Sequence, residues 1–227
     1  MQLAPVNSAR SAQRVDVEST SARGFATDAV LVPGLTLPVV SGLPDASTDG
    51  WSLDYLKGPP AAGSAAATAD LAVVQAAQLL RTPEGDAWAV HLAHDGAFRM
   101  WIDLARREHG LTGAVQSWLG TALIASTLAA NAAVTQIVKH RFQRPRPFQV
   151  DPSIKPPVKL PRDTSYPSGH TSSAFAAARI VSVLRPQLAG EAYNLATQVA
   201  VSRVYAGVHF PSDVRAGAQL GTQVAQL

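Results

Sequence analysis

Apolar positions recur at helical spacing over most of the chain beyond its first quarter. Leu71, Val74, Ala77 and Leu80 fall three or four residues apart and predict a helix over 66–81. Thr82-Pro83-Glu84 stops that helix and starts another, with proline in a first-turn position. The second helix is expected over about 84–108, with Gly96 as a point of breakage, and a third over about 112–139. Pro145 and Pro147 then forbid regular helix, which puts Lys139 at a helix end and Arg146 in a loop. Residues 148–166, with four prolines, read as a loop. A helix starts at Ser168 or Gly169 and runs to Leu184, where Arg185-Pro186 ends it. Another runs from about Gly190 to Tyr205, with Gly207 as its terminator. The last opens at Phe210-Pro211-Ser212-Asp213 and runs toward Gln226.

The first 52 residues read differently. They are rich in Ser, Thr, Pro and Gly and keep no helical period. Val30 to Val40 can pair as a strand, although Pro33 and Pro38 argue against a central one. The expected architecture is therefore all-α: a single-domain helical bundle over 53–227 with an extended N-terminal arm over 1–52. A length of 227 residues suits one such domain.

Composition sharpens this picture. Hydrophobic residues make up 47% of the chain and charged residues only 15%, which fits a large core of packed helices. The absence of cysteine excludes disulfides, thiol catalysis and zinc–thiolate sites. Met1 to Phe25 shows no apolar core of a secretory signal. Leu119 to Val138 is the most apolar stretch. It also holds Ser126, Thr127, Asn131, Thr135 and Gln136, so it is read as a buried central helix and no membrane span is expected. Trp88, Trp101, Trp118 and Phe98 are likewise read as core.

Charge is uneven. Between Lys139 and Arg162 there are seven Lys/Arg and one acid, Asp151, so this segment carries +6 while the whole chain carries +3. A concentrated basic segment suits an anionic partner, whether phosphate, nucleic acid or an anionic membrane.

Three short segments carry candidate chemistry. In the first, Lys139 is followed after six residues by Arg146-Pro147. The second is Pro167-Ser168-Gly169-His170. The third is Ser202-Arg203, followed after five residues by His209 and after three more by Asp213. Lys139, Arg146 and Arg203 can meet the equatorial oxygens of a phosphoryl group in transfer. Ser168 and Gly169 at a helix start offer a hydroxyl and free backbone N–H groups to an anion. His170 stands where it can protonate a leaving oxygen. Asp213 can accept from His209 Nδ1 and leave Nε2 free to attack phosphorus. Taken singly, each segment also has a structural reading: solvated surface charge, a capping histidine, a His–Asp pair at a helix start. His91 and His94 with Asp95 offer half a metal site without a complete ligand set, and Arg144 is placed behind the site or at its rim.

Together the segments resemble the signature of the type-2 phosphatidic acid phosphatase superfamily, which includes bacterial class A nonspecific acid phosphatases and vanadium-dependent haloperoxidases. Ser165-Tyr166-Pro167-Ser168-Gly169-His170-Thr171 and Arg144-Pro145-Arg146-Pro147-Phe148 are similar to the class A acid phosphatase stretches. The resemblance departs at Asp163-Thr164, where the family often has a glycine before Ser-Tyr, and this difference is not expected to touch the chemistry.

The resemblance implies a soluble, metal-independent acid phosphatase that hydrolyses phosphate monoesters through a phosphohistidine and needs no cofactor, with phosphotransfer to alcohols as a further capacity. His209 would be the nucleophile, Asp213 its orienting group, and His170 the general acid and base. Lys139, Arg146, Ser168, Gly169 and Arg203 would bind phosphate. The expected partners are small-molecule phosphate esters, with no nucleic acid, and a second copy in a homodimer; the expected home is periplasmic or secreted. A vanadium-dependent haloperoxidase, a membrane-surface lipid phosphatase and a non-catalytic polyanion binder are the alternatives.

Overall fold

The computed structural model describes residues 29–32, 35–38, 43–44, 53–95, 99–106 and 114–226. Eight helices dominate them: α1 (Ala65–Leu79), α2 (Pro83–Asp95), α3 (Arg99–Arg106), α4 (Ala114–Phe142), α5 (Pro147–Val150), α6 (Gly169–Leu184), α7 (Ala189–Tyr205) and α8 (Pro211–Val224). The fold is all-α in class. The one sheet among the described residues is a short antiparallel hairpin that pairs Ala29–Val32 with Leu35–Pro38, Val30 opposite Leu37. Most of the expected arm, the expected break at Gly96 and Phe98 lie outside the described residues.

Helix α6 is the axis of the bundle, packed by α4, α7 and α8. Its sequence explains why three helices can reach it. Ala174, Ala176, Ala177 and Ala178 are fully buried around Phe175, so little side chain holds the neighbours away. Helix α8 comes closest. A Cβ at Gly221 would lie 1.9 Å from the Ser172 carbonyl oxygen, so glycine is required there. At the other end of α8 the Ser168 N–H donates to the Asp213 carbonyl at 2.9 Å, which seats the start of α8 beside the start of α6, where two of the three chemical segments lie.

The helix ends follow from local sequence. Ser64 caps α1 by accepting from Ala67 N–H at 3.2 Å, and Ser168 caps α6 by accepting from Thr171 N–H. Pro147 opens α5 instead of forbidding helix: at the first helical position its missing N–H costs nothing, and Arg146 becomes the residue before the helix. Gly207, at φ +70°, turns the chain out of α7 in a conformation that disfavours side chains. That turn delivers His209 to the foot of α8.

Helix α4 corrects the sequence-based expectation. Ile124, Leu128, Asn131, Thr135 and Val138 form one buried stripe at four- and three-residue steps. Asn131 uses its amide against α6, accepting from Ser172 Oγ at 2.6 Å and donating to Ser173 Oγ at 3.3 Å. Asn131 and Thr135 therefore face inward beside Ile124, Leu128 and Val138, while Ser126 and Gln136 lie on the outer face among exposed apolar residues. Trp118 is 68% exposed and Ile137 69%, with Leu119 and Leu123 exposed between them. Trp118–Val150 contains an 18-residue stretch long and apolar enough to cross a membrane, with a mean hydropathy of 1.4, and only 28% of that stretch is buried. Neither the buried central helix nor the absence of a candidate span holds. Trp101 is core as expected, and Trp88 packs edge-on against Tyr205 at 6.0 Å.

Candidate active site

Five segments of the chain converge on one cleft of about 540 Å³. Lys139 comes from the last turn of α4, Arg146 from the foot of α5 and Gly169 and His170 from the first turn of α6. Arg203 comes from the last turn of α7, and His209 from the link to α8. All six line the cleft, and residues 158–163 form its lip. Asp213 is fully buried behind His209. Ser168 does not line the cleft. Its hydroxyl is buried 2.9 Å from Thr171 Oγ1 and caps α6, while its N–H donates to the Asp213 carbonyl at 2.9 Å.

His209 is held on both sides. Arg146 Nη1 lies 3.1 Å from Nε2. A guanidinium only donates, so Nε2 is the acceptor and the ring proton sits on Nδ1. Nδ1 points at Asp213 Oδ2 from 3.5 Å, within ion-pair range but beyond a formed hydrogen bond. Asp213 is at the third position of α8, and its carboxylate turns back to accept from Phe210 N–H at 2.9 Å. That capping geometry is what aims it at His209. Ser165 Oγ at 2.5 Å and Arg144 Nη1 at 2.6 Å fill its remaining capacity.

Burial governs the titrations. Loss of water, with the charge of Arg146 added, lowers His209 to about 3 against the opposing pull of Asp213. Burial and the charge of Arg203 lower His170 to about 4, although the Ala93 carbonyl opposes. Asp213 is pushed up by burial, but His209, Arg144 and Ser165 outweigh this and hold it at about 2. Burial and Arg146 lower Arg203 to about 10, which leaves it charged at any working pH. At neutral pH the site thus holds two neutral imidazoles, the ionised carboxylates of Asp213 and Asp163, and three cations.

Three residues matter more than the sequence reading allowed. Arg144 takes the first of its two expected places, buried behind the site. It bridges Asp213 to Asp70 of α1 (2.9 Å), with its guanidinium carbon 3.9 Å from the centre of the Phe210 ring. Asp70 was missed, although it falls on the same face as Val74 and Ala77, and an acid on an apolar stripe is a visible signal. Asp163 marks the departure from the family pattern that is not expected to touch the chemistry. Its carboxylate instead sits in the cleft, 3.2 Å from Lys139 Nζ and 2.8 Å from Arg146 Nη2. His91 and His94 are exposed on α2 and do not line the cleft.

Comparison with known proteins follows this geometry. Residues 120–227 match the family model described as PAP2 superfamily. A decaprenylphosphoryl-5-phosphoribose phosphatase of Mycobacterium tuberculosis is 35% identical over 101 residues, 42% of this chain and 51% of that protein. A non-specific acid phosphatase of Salmonella typhi is 36% identical over 91 residues, 38% of this chain and 36% of that protein. The chain thus spans about half or less of the curated relatives it matches. Among solved structures, a transmembrane PAP2 type phosphatidylglycerolphosphate phosphatase from Bacillus subtilis superposes with a TM-score of 0.60 at 25% identity. That match covers 77% of this chain and 88% of the other. A transmembrane neighbour and the exposed apolar face of α4 together overturn the expectation of a protein without a membrane span.

Proposed function

We propose, from the PAP2 superfamily domain that residues 120–227 form, that this chain is a phosphohydrolase that cleaves phosphate monoesters through His209. The convergence of Lys139, Arg146, Arg203, His170 and His209 on one cleft from separate elements carries this reading.

The chemistry follows from the placement of each group. The three cations neutralise a phosphoryl group whose charge lies on its equatorial oxygens. Arg146 leaves Nε2 of His209 as phosphate enters. Nε2 attacks phosphorus, the N–P bond forms and the bond to the ester oxygen breaks. The leaving oxygen takes a proton from His170. The phosphorylated imidazole carries positive charge, which the ionised Asp213 stabilises through Nδ1. Neutral His170 then takes a proton from water, water attacks phosphorus, and the N–P bond breaks to release phosphate and restore His209. His170 Nε2 lies 3.2 Å from the Ala93 carbonyl, and donation there leaves Nδ1 to exchange the proton. An acidic working range fits these roles, since His170 must be protonated while His209 stays neutral.

A second reading concerns the ester. The exposed apolar face of α4, with Trp118, Leu119, Leu123 and Ile137, favours a lipid phosphate met at a membrane surface. The lipid phosphatases among its likenesses support the same choice. A periplasmic or secreted home belongs with a water-soluble ester, and a membrane-surface home with a lipid one. The test is a panel of nucleotides, sugar phosphates and lipid phosphates presented to wild type and His209→Ala. Release of phosphate from at least one class by wild type alone supports the reading; equal release by both proteins refutes it.

A further inference from the structure

We infer that Asp163 supplies the phosphate cradle with an internal anion, which an incoming phosphate displaces and which sets how tightly the site holds phosphate. This deepens the reading above and rests on it.

Arg146 shows why displacement is required. A guanidinium has five N–H donors, and every one is committed. Nε donates to the Asp163 carbonyl at 2.8 Å. Nη1 donates to the Val208 carbonyl at 2.7 Å and to His209 Nε2 at 3.1 Å. Nη2 donates to Asp163 Oδ1 at 2.8 Å and to the Thr164 carbonyl at 3.2 Å. Lys139 is similarly engaged, with Asp163 Oδ2 at 3.2 Å and the Thr164 carbonyl. Phosphate therefore gains Arg146 only by removing an acceptor it already holds, and at Lys139 it shares the ammonium with Asp163 or replaces it.

The Asp163 carboxylate is the acceptor placed to leave. Its two oxygens span Lys139 and Arg146 as two phosphoryl oxygens would. The cations are fixed, at 4% and 2% exposure, whereas Asp163 is 43% exposed on the lip of the cleft and can turn to water. Arg203 differs. It donates to Ser202 Oγ and to the Ala89 carbonyl, and no carboxylate meets its charge among the described residues. An entering anion thus takes Arg203 without displacing a carboxylate, and competes with Asp163 for the other two cations.

Titration of inorganic phosphate into wild type, Asp163→Asn, Asp163→Ser and Asp163→Glu, followed by calorimetry, tests this without turnover. Asn and Ser variants are expected to bind phosphate about three- to ten-fold more tightly than wild type. The Glu variant, which keeps the charge, is expected to stay near wild type. Equal or weaker binding by both the Asn and the Ser variant overturns the inference and assigns Asp163 to holding Lys139 and Arg146 in place. Tighter phosphate binding without ester hydrolysis would refute the proposed activity and leave this inference standing. Failure of all four proteins to bind phosphate would refute both.

Discussion

Arg146 donates to Nε2 of His209 across 3.1 Å and so covers the atom that the mechanism needs exposed. The contact fixes the imidazole tautomer, and the proposed mechanism requires entering phosphate to release it. Arg146→Lys keeps the charge but removes the planar fork, so it both frees Nε2 and loses paired donors. The expected result is a fall of about 10²-fold in kcat/KM on a chromogenic phosphate ester. A change of less than two-fold would show that Arg146 does not hold the reacting group.

Arg144 ties α1 to the catalytic end of α8 through Asp70 and Asp213. Asp70→Ala removes the buried acceptor of Arg144 Nη2 and of the Ser212 N–H and hydroxyl. A loss of about 2–4 kcal/mol in urea unfolding is expected. Activity at a permissive temperature should fall less than for any cleft residue, because Arg144 keeps its contact to Asp213.

Acid should lower stability even where it favours turnover. The folded protein holds His209 at about 3 and His170 at about 4, both below the 6.5 of a free imidazole. Between those values and 6.5 the unfolded chain binds more protons than the folded one. Stability therefore rises with pH across that window and is lost as pH falls through it, by on the order of a few kcal/mol. Urea midpoints between pH 4 and 7 measure this, and His209→Gln should flatten the curve.

Turnover has the opposite slope on its alkaline side. His170 donates only when protonated, so kcat/KM, which reports the free protein, should decline as pH rises above about 4. A bound phosphate dianion favours the imidazolium, so the decline in kcat should lie at higher pH. Coincident pH profiles for the two constants would contradict the assignment of His170 as the acid.

The apolar face of α4 makes a separate prediction. Vesicles should shift Trp118 emission to shorter wavelength and carry the protein in flotation. Leu119→Ser with Leu123→Ser should weaken both effects. Unchanged emission and no flotation would favour a water-soluble ester over a lipid one.

Much of this was legible along the chain, for physical reasons that also mark where legibility ended. Prolines, caps and the Gly207 turn are local devices, so the limits of α6, α7 and α8 could be read within a residue or two. Helix α4 was legible as a helix but not in its orientation. Its buried stripe includes Asn131, whose partners Ser172 and Ser173 lie on α6, and no local pattern reveals a partner 41 residues away. The same holds at the site. Spacing linked His209 to Asp213 because both belong to one helix start. Asp70 and Asp163 reach the site through tertiary contacts with Arg144, Lys139 and Arg146, and only an acid out of place hinted at either.

Trapping the phosphoenzyme tests the central claim most directly. Wild type and His209→Asn are mixed with a labelled phosphate ester, quenched at high pH where an N–P bond persists, and mapped by mass spectrometry. Phosphate on His209 in wild type, absent from the variant together with turnover, is the expected result. Full turnover by His209→Asn, or label on another side chain, would contradict it.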